Sequence, residues 1–296
     1  MKFNPMPIIY FLFILIMGAA GISPAEASAL QAFVSIAPQK YFVQKIGGAQ
    51  VAVSVLVPPG ADPHTYEPKP AQMRALAKCD IYFAVGVDFE KAWLKKMVSF
   101  NSRMLIVHTE EGLPRIPVAG SHDHGQDSKH QAASPDPHIW LSPPLVKQQA
   151  DHILSALVRV DPKNEKLHRA NYAHFLREIE SLDRELRDLF SKHPGEPFLV
   201  LHPSWGYFAR AYGLQMISME MEGKEPKPAQ LQKLIQEARK KNIRVVFAQP
   251  QFSSKSAEII SREIGGGVVL VDPLAEDWAE NLRRAARQFI SAFGKK

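Results

Sequence analysis

The chain has 296 residues, a formal net charge of +6 and a single cysteine, Cys79. One thiol can form neither an internal disulfide nor a tetrathiolate zinc site, so any metal site must use nitrogen and oxygen ligands. We expect Cys79 to be a small buried hydrophobe. Lys and Arg are not gathered in a run and no nucleic-acid motif accompanies them, which indicates a mildly basic, solvated surface.

The first 29 residues have the pattern of a cleavable signal peptide. Lys2 precedes an apolar stretch at 8–17, and Ala27-Ser28-Ala29 has the form that a signal peptidase accepts. Cleavage is expected near Ala29, with residues 25–27 as a competing site and an uncleaved membrane anchor as the alternative. Cys79 lies too far downstream to carry a lipid. The pattern predicts a periplasmic protein.

The first half of the mature chain alternates short β-branched runs with helical patterns. The patterns predict strands at 32–36, 51–57, 80–85 and 103–107, and helices at 39–46, 70–78 and 89–100. This rhythm favours a parallel sheet covered by helices. A polar, histidine-containing loop at 118–135 interrupts it, and a helix at 145–160 follows.

Apolar residues at spacings of three and four predict one long helix from Asp161-Pro162 to about residue 193. The rhythm then restarts, with strands at 197–201, 214–219, 244–248 and 268–271 and helices at 206–212, 228–242, 254–264 and 278–293. We therefore predict an α/β protein of two similar lobes. Each lobe is a parallel sheet flanked by helices, and the long backbone helix joins lobe 30–160 to lobe 194–296.

Candidate metal ligands were sought beyond the predicted strands, because ligands of parallel α/β sheets lie at the carboxyl ends of the strands. Four residues stand out, each beside a proline: His64, His138, His202 and Asp272. Proline restricts the neighbouring backbone, which pre-organises a site. Three imidazoles and one carboxylate, two from each lobe, suit a tetrahedral Zn²⁺ in the cleft between the lobes.

The spacing alone is a weak signal, because a single loop histidine is usually structural and an Asp-Pro after a strand is usually a turn or cap. The histidines outside this quartet have the positions of packing or solvated residues. The loop cluster His122, His124 and His130 is open to two interpretations, an auxiliary site of weak metal capture or a hydrophilic surface loop.

The sequence resembles the metal-specific solute-binding proteins of bacterial ABC importers, the ZnuA-like or cluster A-I group. The resemblance runs over essentially the whole mature chain. It is carried by five ordered motifs, at Gly60–Pro68, Asp136–Leu141, His202–Ala209, Ala248–Ser253 and Val271–Ala275.

The resemblance implies a non-enzymatic monomer of two lobes that holds a metal ion and passes it to an ABC permease and, through it, to the ATPase. It assigns the ligands to His64, His138, His202 and Asp272. Histidine at position 202 goes more often with zinc, although manganese is accepted by three-His-one-Asp members. Some zinc members place a glutamate before the first histidine, where this chain has Pro63. The rival from another class is a secreted zinc hydrolase using a three-His site.

Overall fold

The computed structural model describes residues 29–118, 135–220 and 226–293. The N-terminal lobe is built on a four-stranded parallel sheet in the order β2-β1-β3-β4. Its elements are β1 (Leu30–Val34), α1 (Ala37–Gly47), β2 (Val51–Val55), α2 (Pro70–Leu76), β3 (Ile81–Ala84), α3 (Asp88–Phe100) and β4 (Leu105–His108).

The C-terminal lobe repeats this topology in a second parallel sheet, with the order β6-β5-β7-β8. Its elements are β5 (Pro197–Val200), α6 (Gly206–Tyr212), β6 (Gln215–Ser218), α7 (Pro228–Lys240), β7 (Val245–Ala248), α8 (Lys255–Glu263), β8 (Gly267–Leu270) and α9 (Trp278–Phe293). The prediction of two similar α/β lobes is confirmed.

The inner strands of the two sheets have the burial that is typical of parallel sheets. All four residues of β3 (Ile-Tyr-Phe-Ala) and of β7 (Val-Val-Phe-Ala) are buried, as expected for strands covered by helices on both faces. The edge strand β2 instead alternates between exposed and half-buried residues beyond Val51. Both sheets direct the carboxyl ends of their strands toward loops that carry polar residues.

Two consecutive helices connect the lobes, α4 (Pro143–Val160) and the 26-residue α5 (Glu165–Phe190). At a rise of 1.5 Å per residue, α5 is about 39 Å long. The sequence places its start at Asp161-Pro162, but a 3₁₀ turn at Pro162–Asn164 comes first. The helix proper is therefore shorter than predicted at both ends.

The hydrophobic core is shared between the lobes. Trp278, the first residue of α9, lies 5.1 Å from Phe42 of α1 and 6.4 Å from Phe175 of α5, measured between ring centroids. Its indole Nε1 donates to the carbonyl of Trp140 at 2.7 Å, and the Trp140 indole donates to the carbonyl of Pro273 at 2.8 Å. These ring contacts and indole hydrogen bonds hold the two lobes together near the ends of their sheets.

Cys79 is 4% exposed, as expected for a small core residue, and its thiol donates to the carbonyl of Ile81. Burial raises the pKa of this thiol to about 11. Within the described residues, every helix is too short or too polar to serve as a transmembrane span.

Candidate metal centre

Three histidines converge in the crevice between the lobes. One ring nitrogen from each of His64, His138 and His202 lies within 4.8 Å of the others. The ring centroids form a nearly equilateral triangle, with sides of 5.6, 4.9 and 5.3 Å. The N-terminal lobe supplies His64 and His138, and the C-terminal lobe supplies His202.

Short polar turns place the first two histidines. His64 lies in the loop between β2 and α2, where the carboxylate of Asp62 accepts its backbone N–H at 2.9 Å. Asp136 accepts the backbone N–H of His138 at 2.9 Å in the same way. These Asx-type turns fix the backbone two residues after each aspartate, so the imidazoles leave the chain in defined directions.

The third histidine follows a strand directly. His202 is two residues beyond β5, and the carbonyl of its backbone accepts the N–H of Ser204 at 2.9 Å. It is 7% exposed, and His138 is 5% exposed, whereas His64 is half-buried at the mouth of the cavity.

Each of these imidazoles is held by its own carboxylate. The Nδ1 atoms of His64, His138 and His202 lie 2.7, 2.7 and 2.6 Å from carboxylate oxygens. The partners are Asp88, Asp136 and Glu220 in that order. A carboxylate can only accept, so each Nδ1 donates and each Nε2 is left with its lone pair. Carboxylate–histidine pairs of this kind orient metal-binding imidazoles and make them more basic ligands.

The spacing of the nitrogens fits one small ion. Tetrahedral zinc with Zn–N bonds of about 2.05 Å sets neighbouring ligand nitrogens about 3.3 Å apart. The Nε2 atoms of His64 and His202 lie 3.1 Å apart. Two bare lone pairs repel each other at this distance, and a cation or a shared proton between them would relieve the repulsion. Protons and metal therefore compete for the same position.

The environment tunes the protonation of two of the histidines in opposite directions. Burial lowers the pKa of His138 to about 4, although the nearby carboxylate of Asp136 opposes the shift. Burial also acts against the charged form of His64, but the hydrogen bond to Asp88 and the surrounding carboxylates leave its pKa raised overall. The hydrogen bond from His64 in turn lowers the pKa of Asp88. His138 is therefore neutral at neutral pH, and His64 takes up a proton at a higher pH than His138 does.

Apolar and aromatic groups form the walls around the three nitrogens. The Phe252 ring stacks on His202 at 4.7 Å, and Trp140 lies 5.2 Å from His138. The remaining lining consists of Pro63, Val87, Gln249, Gln251, Pro273 and Leu274. Low polarity around charged groups strengthens their attraction for a cation.

Asp272, the fourth residue predicted from the sequence, lies near the cavity but is not among the side chains that line it. Among the described residues, the three histidines have ligand atoms within 4.8 Å of one another, and Asp272 lies outside this group. The Oδ1 atom of Asp272 accepts an N–H of the Gln251 side-chain amide at 2.8 Å and the backbone N–H of Leu274 at 2.9 Å. The structure thus brings three of the four predicted ligands together.

The other histidines and the signal peptide were also predicted from the sequence, and some of these lie outside the described residues. His122, His124 and His130 fall in segment 119–134, and the signal peptide falls almost wholly in segment 1–28, both outside the described residues. His168 is fully buried against Asp161, and His108 is exposed beside Glu110. These two have the packing and solvated positions expected of them.

Sequence reasoning missed the roles of Asp88 and Glu220. Both follow strands, Asp88 after β3 and Glu220 after β6. The strand-end criterion that selected the histidines would therefore have found these carboxylates had it been applied to every strand.

Two α/β lobes on a long helix, with a histidine cluster between them, define a substrate-binding protein of the ABC-importer class. The sequence matches the family described as zinc-uptake complex component A, periplasmic, over residues 33–292. The chain belongs to this family.

Known relatives agree with this assignment. The chain superposes on a crystal structure of ZnuA with a TM-score of 0.85 and 45% identity, covering 90% of this chain and 100% of that one. It is 26% identical to the high-affinity zinc uptake system protein ZnuA of Bacillus subtilis, over 88% of this chain and 85% of that protein. It is also 24% identical to the manganese ABC transporter substrate-binding lipoprotein PsaA of Streptococcus anginosus, over 92% and 91% of the two chains.

Proposed function

We propose that this protein captures Zn²⁺ in the periplasm, through His64, His138 and His202, and delivers it to the permease of an ABC importer. The observation that carries the proposal is the convergence of three imidazoles, each held at Nδ1 by a buried or half-buried carboxylate. Neutral imidazole suits Zn²⁺ better than it suits the hard, oxygen-preferring Mn²⁺. Asp272, two residues beyond β8, is the proposed fourth ligand, and its Oδ1 also accepts from the Gln251 side chain.

The charge balance supports a divalent cation as cargo. Three neutral imidazoles add no charge, but the three carboxylates behind them are poised to offset the +2 of the ion. An anionic or neutral substrate would meet only lone pairs at the ring nitrogens. The family is a component of transporters, which supports uptake rather than hydrolysis as the role of the bound metal.

Metal titration tests the proposal directly. The mature chain, stripped of metal, is expected to bind one Zn²⁺ tightly in competition with a chromophoric chelator. Alanine at position 64, 138 or 202 should weaken binding severely, whereas His174→Ala, on the exposed face of α5, is the matched control. Equal affinity in all four variants would exclude this site.

Manganese is the alternative cargo, because a relative that is 24% identical in sequence is named as a manganese transporter component. Competition between the two ions decides the case, with Zn²⁺ expected to displace Mn²⁺ completely. Delivery is tested in a strain that lacks the gene. The wild-type chain should restore growth in zinc-depleted medium, and the variant with all three histidines replaced should not. Restoration by that variant would refute delivery through this site.

A further inference from the structure

We infer that Glu90 is a positioning residue, which fixes the turn between β3 and α3 and, through Asp88 on that turn, the direction of the His64 imidazole. This role rests on the proposed metal-binding function. Glu90 is not among the side chains that line the metal cavity, so it would act on the imidazole from behind.

The turn between β3 and α3 reaches the loop of His64 at two points. Asp88 is the first residue of α3, and its Oδ2 lies 2.7 Å from Nδ1 of His64. The backbone N–H of Phe89 donates to the carbonyl of Pro63, the residue before His64, at 3.4 Å. The direction of the His64 ring therefore depends on where this turn places the start of α3.

The turn itself has a weak local anchor. The N-cap residue of α3 is Val87, whose apolar side chain makes no capping hydrogen bond. Gly86 has a φ of +87°, in the left-handed region that glycine enters without strain. Since a glycine here leaves the backbone free to move, other groups must restrain the turn if Asp88 is to stay in place.

Glu90 supplies this restraint from the third position of α3. Its Oε1 accepts the backbone N–H of Val85 at 2.9 Å, and its Oε2 accepts that of Gly86 at 2.8 Å. A glutamate at this helix position commonly reaches back to the preceding backbone. Oε1 also accepts the hydroxyl of Ser35, and the Tyr82 hydroxyl donates to Ser35 Oγ at 2.6 Å. The carboxylate thus ties the turn to β3 and to the end of β1.

The contacts of Glu90 require a carboxylate. All three groups that bond to it are donors, and both of its oxygens accept. A glutamine has almost the same size, but its amide has one accepting oxygen and an NH₂ group that cannot accept. Glu90→Gln therefore breaks at least one contact to the turn while it leaves the packing nearly unchanged.

The charge of Glu90 is kept although it weakens the fold. Glu90 is 2% exposed, and burial raises the pKa of its carboxyl to about 7, although its three hydrogen bonds oppose the shift. The titratable groups that face it are Tyr82 and Glu110, and Arg115 lies against Gly86. Because this pKa lies above that of an exposed glutamate, the contribution of Glu90 to stability falls as the pH rises through about 7. A buried charge of this kind is typical of a functional site.

Three measurements test the positioning role: Zn²⁺ affinity, the metal-free melting temperature and the NMR signal of the His64 Nδ1 proton. Glu90→Gln should bind Zn²⁺ about tenfold more weakly, at the lower end of the range for groups that support a metal site. Its metal-free melting temperature above pH 7 should be no lower than that of the wild type, because the buried charge is gone. The Nδ1 proton, identified by its loss in Asp88→Ala, should shift.

Met97→Ala is the matched control, because Met97 is fully buried near the other end of α3. This variant should melt at a lower temperature but keep the wild-type Zn²⁺ affinity and the wild-type His64 signal. If Met97→Ala weakens Zn²⁺ binding as much as Glu90→Gln does, general loosening of α3 explains both results and the positioning role is wrong.

A double variant tests the route through Asp88. If Glu90 acts through Asp88, adding Glu90→Gln to Asp88→Ala should weaken Zn²⁺ binding no further. A further tenfold loss in the double variant would show that Glu90 acts on the ion by its charge alone, and would overturn the inference. Wild-type affinity in Glu90→Gln would overturn it as well.

Failure of this inference is distinct from failure of the proposed function. If the wild type does not bind Zn²⁺, or if the histidine variants bind as well as it does, zinc capture itself fails. If the wild type binds and Glu90→Gln matches it, only the positioning role fails. Ser35→Ala decides the case in which Glu90→Gln does not fold, because it removes one donor from Oε1. It should weaken Zn²⁺ binding and shift the His64 signal, and no change in either would overturn the inference.

Discussion

Replacing the carboxylate behind His202 should weaken metal binding without touching a ligand. Glu220→Gln keeps an oxygen that can accept the Nδ1 proton of His202, which now lies 2.6 Å from Glu220 Oε2, but it removes the charge. A hydrogen bond to a charged group contributes about 1.5–3 kcal/mol and a neutral one about 1 kcal/mol. The difference of roughly 0.5–2 kcal/mol corresponds to about 2- to 30-fold weaker binding, at 1.4 kcal/mol per tenfold.

Chelator competition at pH 7.5 measures this change, and Glu220→Leu should fall further, toward the hundred-fold end of the range for partners of metal-binding histidines. Glu67→Gln is the matched control, since Glu67 is exposed and lies three residues from His64. Equal affinity in the Glu220 and Glu67 variants would refute the role assigned to the carboxylate.

Three further predictions concern protons, the histidine loop and motion. Because a protonated imidazole cannot bind metal, Zn²⁺ affinity should fall as the pH drops through the raised pKa of His64, and more steeply near pH 4, where His138 protonates. Asp88→Asn should move the onset of this fall to lower pH. A Zn²⁺ affinity that stays flat from pH 7.5 to 5 would contradict this prediction. Deleting residues 120–130 should leave the single high-affinity site intact in a titration, and its loss would refute the three-histidine assignment. Solution scattering should change little on metal loading, because α5 and the indole hydrogen bonds fasten the lobes; a large change in radius of gyration would indicate a hinge.

Much of the fold could be predicted from the sequence because the hydrophobic pattern is strong in each element. Two helices, Gly206–Tyr212 and Trp278–Phe293, begin and end where the pattern predicts. The first strand is displaced to Leu30–Val34 from the predicted 32–36. Ser35 and Ile36 are buried, but they lead into α1, so the sequence pattern extended the strand two residues too far.

The three histidines could be predicted because each lies near a strand end or a proline-fixed turn. The partners of His64 and His202 could not be paired from the sequence, since Asp88 is 24 residues from His64 and Glu220 is 18 residues from His202. Only the parallel arrangement of the strands within each sheet brings them together. The sequence likewise places Asp272 at the end of β8 but gives no sign that Gln251 occupies its Oδ1.

The central claim is that three imidazoles share one ion, and X-ray absorption at the zinc edge of the loaded protein tests it most directly. We expect a four-coordinate site at about 2.0–2.1 Å with the scattering of three imidazole rings and one oxygen. The imidazole contribution should fall by one ring in each of the His64, His138 and His202 alanine variants that still binds. A spectrum with one imidazole, or one unchanged by these substitutions, would contradict the account.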